Sequence, residues 1–380
     1  MIYLDNSATT KPYDEVIDTF VTVSRDFFGN PSSLHTLGMR AEKLLIEARE
    51  RIARLLDVQP NELVFTSGGS EGNNFAIKGT AYARRNRGNH LITTAVEHPS
   101  VLEPFKQLER QGFEVTYLPV DRFGQISVDD LKNALRPTTI LVSIGHVNSE
   151  VGTIQPIEEI GQLLSDYPTV YFHVDHVQGL TKVPLSLKKA NIDLCTASAH
   201  KFHGLKGTGF LYVREGVQLQ SLIHGGAQEH ALRAGTENVA SIVAMAKALR
   251  IAFSKMEKRR DTLVKLRKQL IDELEKLENV TVNSPVNGAP HIVNFSILHV
   301  KPEVVIQSLS AKDIYVSTKS ACSSKLSEPS KTLLAMGLGE ERAQSSIRVS
   351  FSYETTEREL RTFITELEAL IPKLVKVVRK

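Results

Sequence analysis

Short apolar runs alternate with helical patterns through the first half of this chain. ELVFT at 62–66, HLITT at 90–94, TILVSI at 139–144 and VYFHVD at 170–175 are each bounded by turn residues. That rhythm predicts βαβ units and an α/β fold with a mostly parallel sheet covered by helices. Two further runs, DLCTASA and TGFLYV, bracket the heptad SAHKFHG at 198–204, which places that heptad on the turn after a strand.

From about Ser241 to Leu277 the period lengthens, and Leu263, Leu266, Leu270, Leu274 and Leu277 fall on one stripe at steps of three and four. This spacing predicts a long helix that bridges two units. Beyond it TVNSP, HIVNFSI, IYVST and SIRVSFS read as strands, with helices at 302–310 and 355–377. A large domain over 15–255 is therefore expected, with 1–14 and 256–380 forming a smaller α+β domain that carries a loop at 320–330.

At 380 residues the chain exceeds one typical domain, in line with this division. Its net charge of +3 is spread along the sequence and forms no basic tail, so nucleic acid is not an expected partner. No run of apolar residues approaches membrane-spanning length, and the opening MIYLDNSATT lacks a signal-peptide pattern, so a cytoplasmic protein is expected. Two cysteines, Cys195 and Cys322, cannot build a disulfide framework or a cysteine-rich metal site.

The candidate chemistry lies at strand ends. TSGGSEGNN at 66–74 follows a strand and opens a helix, so its backbone N–H groups and the Ser70 hydroxyl form a phosphate cradle; a plain glycine-rich connection with a serine cap is the competing account. The cradle lacks the lysine of a P-loop and the GxGxxG spacing of a dinucleotide site. Asp175 ends an apolar strand, where a carboxylate meets a cation or caps a helix. His98, in EHPS, holds a similar strand end, as a stacking or proton-moving imidazole or as an ordinary loop histidine.

Lys201 sits inside SAHKFHG, where a desolvated lysine can lose its proton and form a Schiff base. A Schiff-base lysine, a phosphate cradle, an aspartate for a pyridinium nitrogen and a stacking histidine together match the needs of pyridoxal phosphate. Cys322 stands in SACSSKLSEPS, a run with little to pack, ahead of a helix that Pro329 helps to start; an exposed reactive nucleophile is the expectation. Cys195, within DLCTASA, reads as a small buried hydrophobe.

These residues resemble the cysteine desulfurases of the NifS and IscS type, in the class V aminotransferase group of fold type I pyridoxal phosphate enzymes. The likeness runs from YLDNSATT and FGNPSSLH through TSGGSEGNN, EHPS, VNSEVG, HVDHVQG, SAHKFHG, HGGAQEHALRAGTEN and SACSSKLSEPS to SSIRVSFS. It implies that Lys201 carries pyridoxal 5'-phosphate, Asp175 partners the pyridine nitrogen, Gln178 donates to the phenolate oxygen, and His98 stacks on the ring and moves protons. Gly69, Ser70, Ser198 and His200 would hold the phosphate, with Thr236 reaching the cofactor of a neighbouring subunit in a homodimer. Arg348 would pair with the substrate carboxylate, with Asn30 and Asn6 nearby.

The activity implied is removal of sulfur from L-cysteine. Lys201 or His98 moves protons, the thiolate of Cys322 attacks the substrate sulfur, alanine leaves, and a persulfide stays on Cys322. The acceptor implied is an iron–sulfur scaffold or a tRNA thiolation enzyme, and the sequence does not choose between them. VNSEVG departs from the family's VNNEIG, so the cofactor contact falls to either Asn148 or Ser149. His176, His203, Ala199 and Lys325 have no assigned role. The competing readings are a selenocysteine lyase or another class V enzyme that does not depend on Cys322, and a scaffold protein that kept the fold without the chemistry.

Overall fold

The computed structural model describes residues 1–318 and 328–378. Its first elements are strand β1 (Ile2–Tyr3), helices α1 (Asp14–Asp26) and α2 (Thr36–Leu56), β2 (Leu63–Thr66), α3 (Gly69–Ala83), β3 (His90–Thr94), α4 (Pro99–Arg110) and β4 (Glu114–Leu118). Then come α5 (Val128–Ala134), β5 (Thr139–Gly145), α6 (Ile157–Leu164), β6 (Tyr171–Asp175), β7 (Leu194–Ser198), β8 (Gly209–Val213) and the long α7 (Val239–Leu274). The remainder is β9 (Val280–Val282), β10 (Ile292–Ile297), α8 (Pro302–Ser310), β11 (Ile314–Tyr315), α9 (Lys331–Ala335), α10 (Glu340–Gln344), β12 (Ser346–Ser350) and α11 (Glu357–Val378).

The apolar runs pair into a seven-stranded sheet in the order β2-β8-β7-β6-β5-β3-β4. All neighbouring pairs are parallel except those of β8, which runs antiparallel to β2 and β7. β2, β3, β7 and β8 are buried along their whole length, which is why they read as unbroken apolar runs and not as alternating ones. Register aligns Gly145 with Asp175 and Asp175 with Thr196, so the carboxyl ends of β5, β6 and β7 lie level with one another. Ligands of open α/β sheets bind at such ends.

A second group comprises an antiparallel sheet, β12-β10-β9, and the parallel pair β1-β11. Its core gathers Leu4, Phe295, Ile347, Phe351, Phe363 and Leu367, apart from the core built around the large sheet. Helix α7 serves both. Its first half offers Ala244, Ala248 and Ala252, whose small side chains let α1 and α2 approach closely, and its second half offers Leu263, Leu266, Leu270 and Leu274 to the smaller core. Burying each of those leucines contributes roughly 1.5–3 kcal/mol. The helix ends at Leu274, short of the expected Leu277, which packs half-buried in the turn that leads to β9.

Ser350 donates its N–H to Leu4 O, and Asp5 bridges to Ser350, so the first strand belongs to the smaller group. The chain then crosses to the large sheet, where Thr10 donates both its N–H and its hydroxyl to His200 O, each at 2.9 Å. This crossing brings residues 5–10 to the level ends of β5, β6 and β7. Among the described residues no helix is long and apolar enough to cross a membrane.

Candidate active site

A cavity of about 170 Å³ opens at those strand ends, and Gly69, Ser70, His98, Asn148, Ser149, Asp175, Gln178, Ser198, His200, Lys201 and Arg348 all line it. The strand-end residues singled out in the sequence thus meet in one place. Cys322 falls outside the described residues, as does Lys325.

One wall is the start of α3. The helix begins at Gly69 with Gly68 as its cap, so Ser70 lies in the first turn and is not the cap itself. Gly68 holds φ +144°, and a Cβ on Gly69 would sit 2.9 Å from Val177 Cγ2, so the backbone here approaches its neighbours more closely than any side chain allows. Ser198 faces the same corner, with its Oγ 3.3 Å from where a Cβ on Gly68 would stand. Backbone N–H groups at a helix start, flanked by hydroxyls, suit an anion.

The opposite end is built on Asp175. One carboxylate oxygen accepts the Val177 N–H at 3.0 Å and the other accepts Asn73 Nδ2 at 2.7 Å. The same Asn73 amide donates to Ser100 Oγ at 2.9 Å, and Ser100 Oγ lies 2.8 Å from His98 Nδ1. Because the Ser100 N–H also donates to Nδ1, the neutral His98 ring carries its proton on Nε2. Burial and the nearby Lys201 hold His98 below the usual histidine range, while Asp175 pulls the other way. Neither Asn73 nor Ser100 was singled out from sequence. Both lie in quoted motifs, yet nothing local shows that residues 27 positions apart share a hydrogen bond.

Lys201 ends a short 3-10 turn, Ala199–Lys201, directly after β7. Its Nζ donates to the carbonyl of Ser7 and, at 2.9 Å, to that of Ala8. Gln178 Nε2 donates to Ser7 O as well, at 2.9 Å, which leaves its second amide hydrogen for the cavity. His200 is pushed down to about 4 by burial and by the charges of Lys201 and Lys206, so it is a neutral ring beside the anion corner.

Arg348, from β12, is 1% exposed and reaches the cavity from the smaller group. Its Nη1 donates to Ser149 O and its Nη2 to Asp5 Oδ1, each at 2.9 Å. Desolvation lifts Asp5 above the usual carboxylate range, against the pull of Arg348. Asn148 spends its side chain on the backbone, donating to Val96 O and accepting from Glu150 N and Val151 N. Asn6, 6% exposed, donates to Tyr3 O and Ser350 O and does not line the cavity. Asn30 and Thr236 are exposed and also lie off its wall.

Glu97, unremarked in the sequence, lines the cavity too. It accepts from Thr94 Oγ1 and from Gly145 N, and burial pushes its carboxyl up to about 7 despite those bonds. His203 proves structural: it stacks on Tyr13 with centroids 4.3 Å apart and pairs with Lys11 O, which fixes the incoming N-terminal segment. His176 faces His146 with their Nδ1 atoms 2.9 Å apart, behind Asp175. Cys195 is buried as expected, and burial drives its thiol far upward, so it is no nucleophile.

The residues present fit pyridoxal phosphate. Ser7 Oγ and Asn73 Oδ1 line the cavity, are buried, and have no hydrogen-bond partner among the described residues, so polar acceptors and donors there await a ligand. An anion corner, an amine and a carboxylate set around one slot are the donor set that this cofactor requires.

Comparison with known proteins agrees. The model of the family described as aminotransferase class-V matches residues 2–363. A protein of Dictyoglomus turgidum called cysteine desulfurase IscS is 46% identical over 98% of this chain and 95% of its own length. Another of that name, from Methanosarcina thermophila, is 44% identical over 98% of this chain and 92% of its length. Among solved structures, a NifS-like protein superposes with a TM-score of 0.93 at 37% identity, covering 98% of this chain and all (100%) of the other. A structure titled SspA in complex with cysteine gives a TM-score of 0.81 at 34% identity, covering 94% and 100%.

Proposed function

This chain belongs to the aminotransferase class-V family, and from that premise we propose that its cavity removes sulfur from L-cysteine with Lys201, His98 and Cys322 as the working groups. The protein is a cysteine desulfurase that depends on pyridoxal 5'-phosphate. The observation that carries the assignment of residues is the convergence of Lys201, Asp175, His98 and the glycine cradle on one cavity that Arg348 also reaches.

Lys201 would hold the cofactor covalently. Gly69, Ser70, Ser198 and His200 would take its phosphate, Asp175 its ring nitrogen, Gln178 its phenolic oxygen and His98 its face. Asn148 and Ser149 both line the cavity; the Asn148 side chain is already tied to three backbone groups, and Ser149 lends its backbone carbonyl to Arg348. When bound, the cofactor supplies an electron sink for bonds broken next to the substrate's amino group.

The chain's own groups do the rest. The Arg348 guanidinium, which lines the cavity, orients the substrate carboxylate, while Asn6 and Asn30, which lie off the cavity wall, would assist it only from outside. His98, neutral and anchored through Nδ1, presents Nε2–H as a proton carrier, and the Lys201 amine serves as the second. The Cys322 thiolate takes the substrate sulfur. The carbon–sulfur bond gives its electron pair to carbon, a proton completes alanine, and the new sulfur–sulfur bond leaves a persulfide on Cys322.

That persulfide passes to a sulfur acceptor, an iron–sulfur scaffold or a tRNA thiolation enzyme, in the cytoplasm. The exposed Thr236 would complete the site of a second copy in a homodimer. The division into 15–255 on one side, and 1–14 with 256–380 on the other, is part of the same reading; the two separate cores support it except at Tyr13, which packs in the larger core. The deciding experiment loads the enzyme with labelled cysteine, finds the label on Cys322 by mass spectrometry, and offers it to candidate acceptors. Label on any other residue overturns the role of Cys322.

A further inference from the structure

A second lysine lies beneath the first. Lys182, in the turn that follows β6, is 3% exposed, and its Nζ donates to the backbone carbonyl of Lys201 at 2.8 Å. No carboxylate pairs with it among the described residues. The charged and titratable groups it acts on are Lys201, His176, His203 and His291, and none of these is an acid. Lys201 in turn acts on Asp5, His98, His200 and His291 as well as on Lys182.

A buried ammonium without a counter-ion is costly, and an apolar side chain of similar length would fill the same space more cheaply. Burial and the charge of Lys201 bring Lys182 down to about 7, so near neutrality it carries a fractional charge under the site. Its contact is specific. Two successive carbonyls of the turn are held by different segments, His200 O by Thr10 and Lys201 O by Lys182, which fixes the peptide from which the Lys201 side chain departs.

We propose that Lys182 is a positioning residue for Lys201: it anchors the Lys201 carbonyl so that the amine is aimed at the cofactor, and its positive charge disfavours a second one on the Lys201 nitrogen. This inference rests on the reading of Lys201 as the cofactor lysine.

The test uses the full chain loaded with pyridoxal phosphate, and compares the parent with Lys182→Met and Lys182→Gln. Two signals are read, the pH midpoint of the bound cofactor's visible absorbance and its visible circular dichroism. With the charge and the donor both gone, Lys182→Met should raise the midpoint by about one pH unit and weaken the dichroic band. Lys182→Gln keeps a donor, so it should raise the midpoint while leaving the band near the parent's, and it stands in if the methionine variant does not fold. Parent-like midpoint and dichroism in a folded variant that binds the cofactor overturn the role of Lys182. A parent chain that takes up no pyridoxal phosphate overturns the function itself.

Discussion

Asn73 and Asp175 are 102 positions apart in sequence, yet the Asn73 amide donates to a carboxylate oxygen of Asp175 at 2.7 Å, which ties the first turns of α3 to the end of β6. The same amide reaches Ser100 and, through it, His98. One side chain thereby sets the attitude of both the carboxylate and the ring. Replacing Asp175 by Asn removes a charge-assisted contact worth about 1.5–3 kcal/mol, so turnover should fall roughly 10- to 150-fold. Asn73→Ala should give a smaller loss, in kcat and not in KM. Steady-state kinetics on purified holoenzyme decide, and an Asn73→Ala enzyme with parent kinetics would show that the tie is idle.

In the proposed reading Lys201 and Cys322 divide the labour, so their variants should fail differently. Cys322→Ala is expected to bind pyridoxal phosphate with its usual visible colour and to release no sulfide from cysteine. Lys201→Ala should lose the covalent link, seen as the absence of a borohydride-fixed adduct by mass spectrometry. Sulfide release by Cys322→Ala at the parent rate would instead favour a class V lyase that needs no such thiol.

Arg348 divides its guanidinium between Ser149 O and Asp5, and Arg348→Lys retains the charge but loses the two-pronged edge. The expected result is a rise in KM for cysteine of about 10- to 150-fold, corresponding to about 1.5–3 kcal/mol, with kcat less affected. Unchanged KM would remove Arg348 from substrate binding.

Acid should weaken the fold early. Burial holds His90, His146 and His203 down at about 4 and His173 at about 3. The unfolded chain titrates its histidines near 6.5 and so binds more protons between that pH and about 4, and stability must rise with pH across this window. The contribution is whole above about pH 6.5 and drains as pH falls, at up to about 1.4 kcal/mol per pH unit for each group. Glu97, raised to about 7, works in the opposite direction, as one carboxyl against several rings. Urea midpoints taken between about pH 7 and pH 5 should fall steadily, and a flat profile would contradict the burial of these rings as neutral groups.

Much of this was legible in advance because strand ends announce themselves. An apolar run followed by small residues gave the places of Ser70, His98, Asp175 and Lys201, and the sheet did bring them together. What stayed hidden was every partnership made across the sheet. Lys182, in TKVP, looks like any solvated lysine, and only the fold turns it inward to Lys201. Asp5 gave no hint of its hold on Arg348, 343 positions away. The end of α7 moved for a local reason: the leucine spacing continues to Leu277, but the chain already turns there to start β9.

The crossing of residues 5–10 has a practical meaning for anyone handling this protein. Terminal residues are usually the safest to trim. Here Asp5 grips Arg348, and the carbonyls of Ser7 and Ala8 receive the Lys201 amine, while Met1 is 80% exposed. A purification tag can therefore be attached ahead of Met1 at little risk, but shortening the chain by even eight residues would strip Asp5 from Arg348 and two carbonyls from the Lys201 amine, and would take Leu4 out of the smaller core as well.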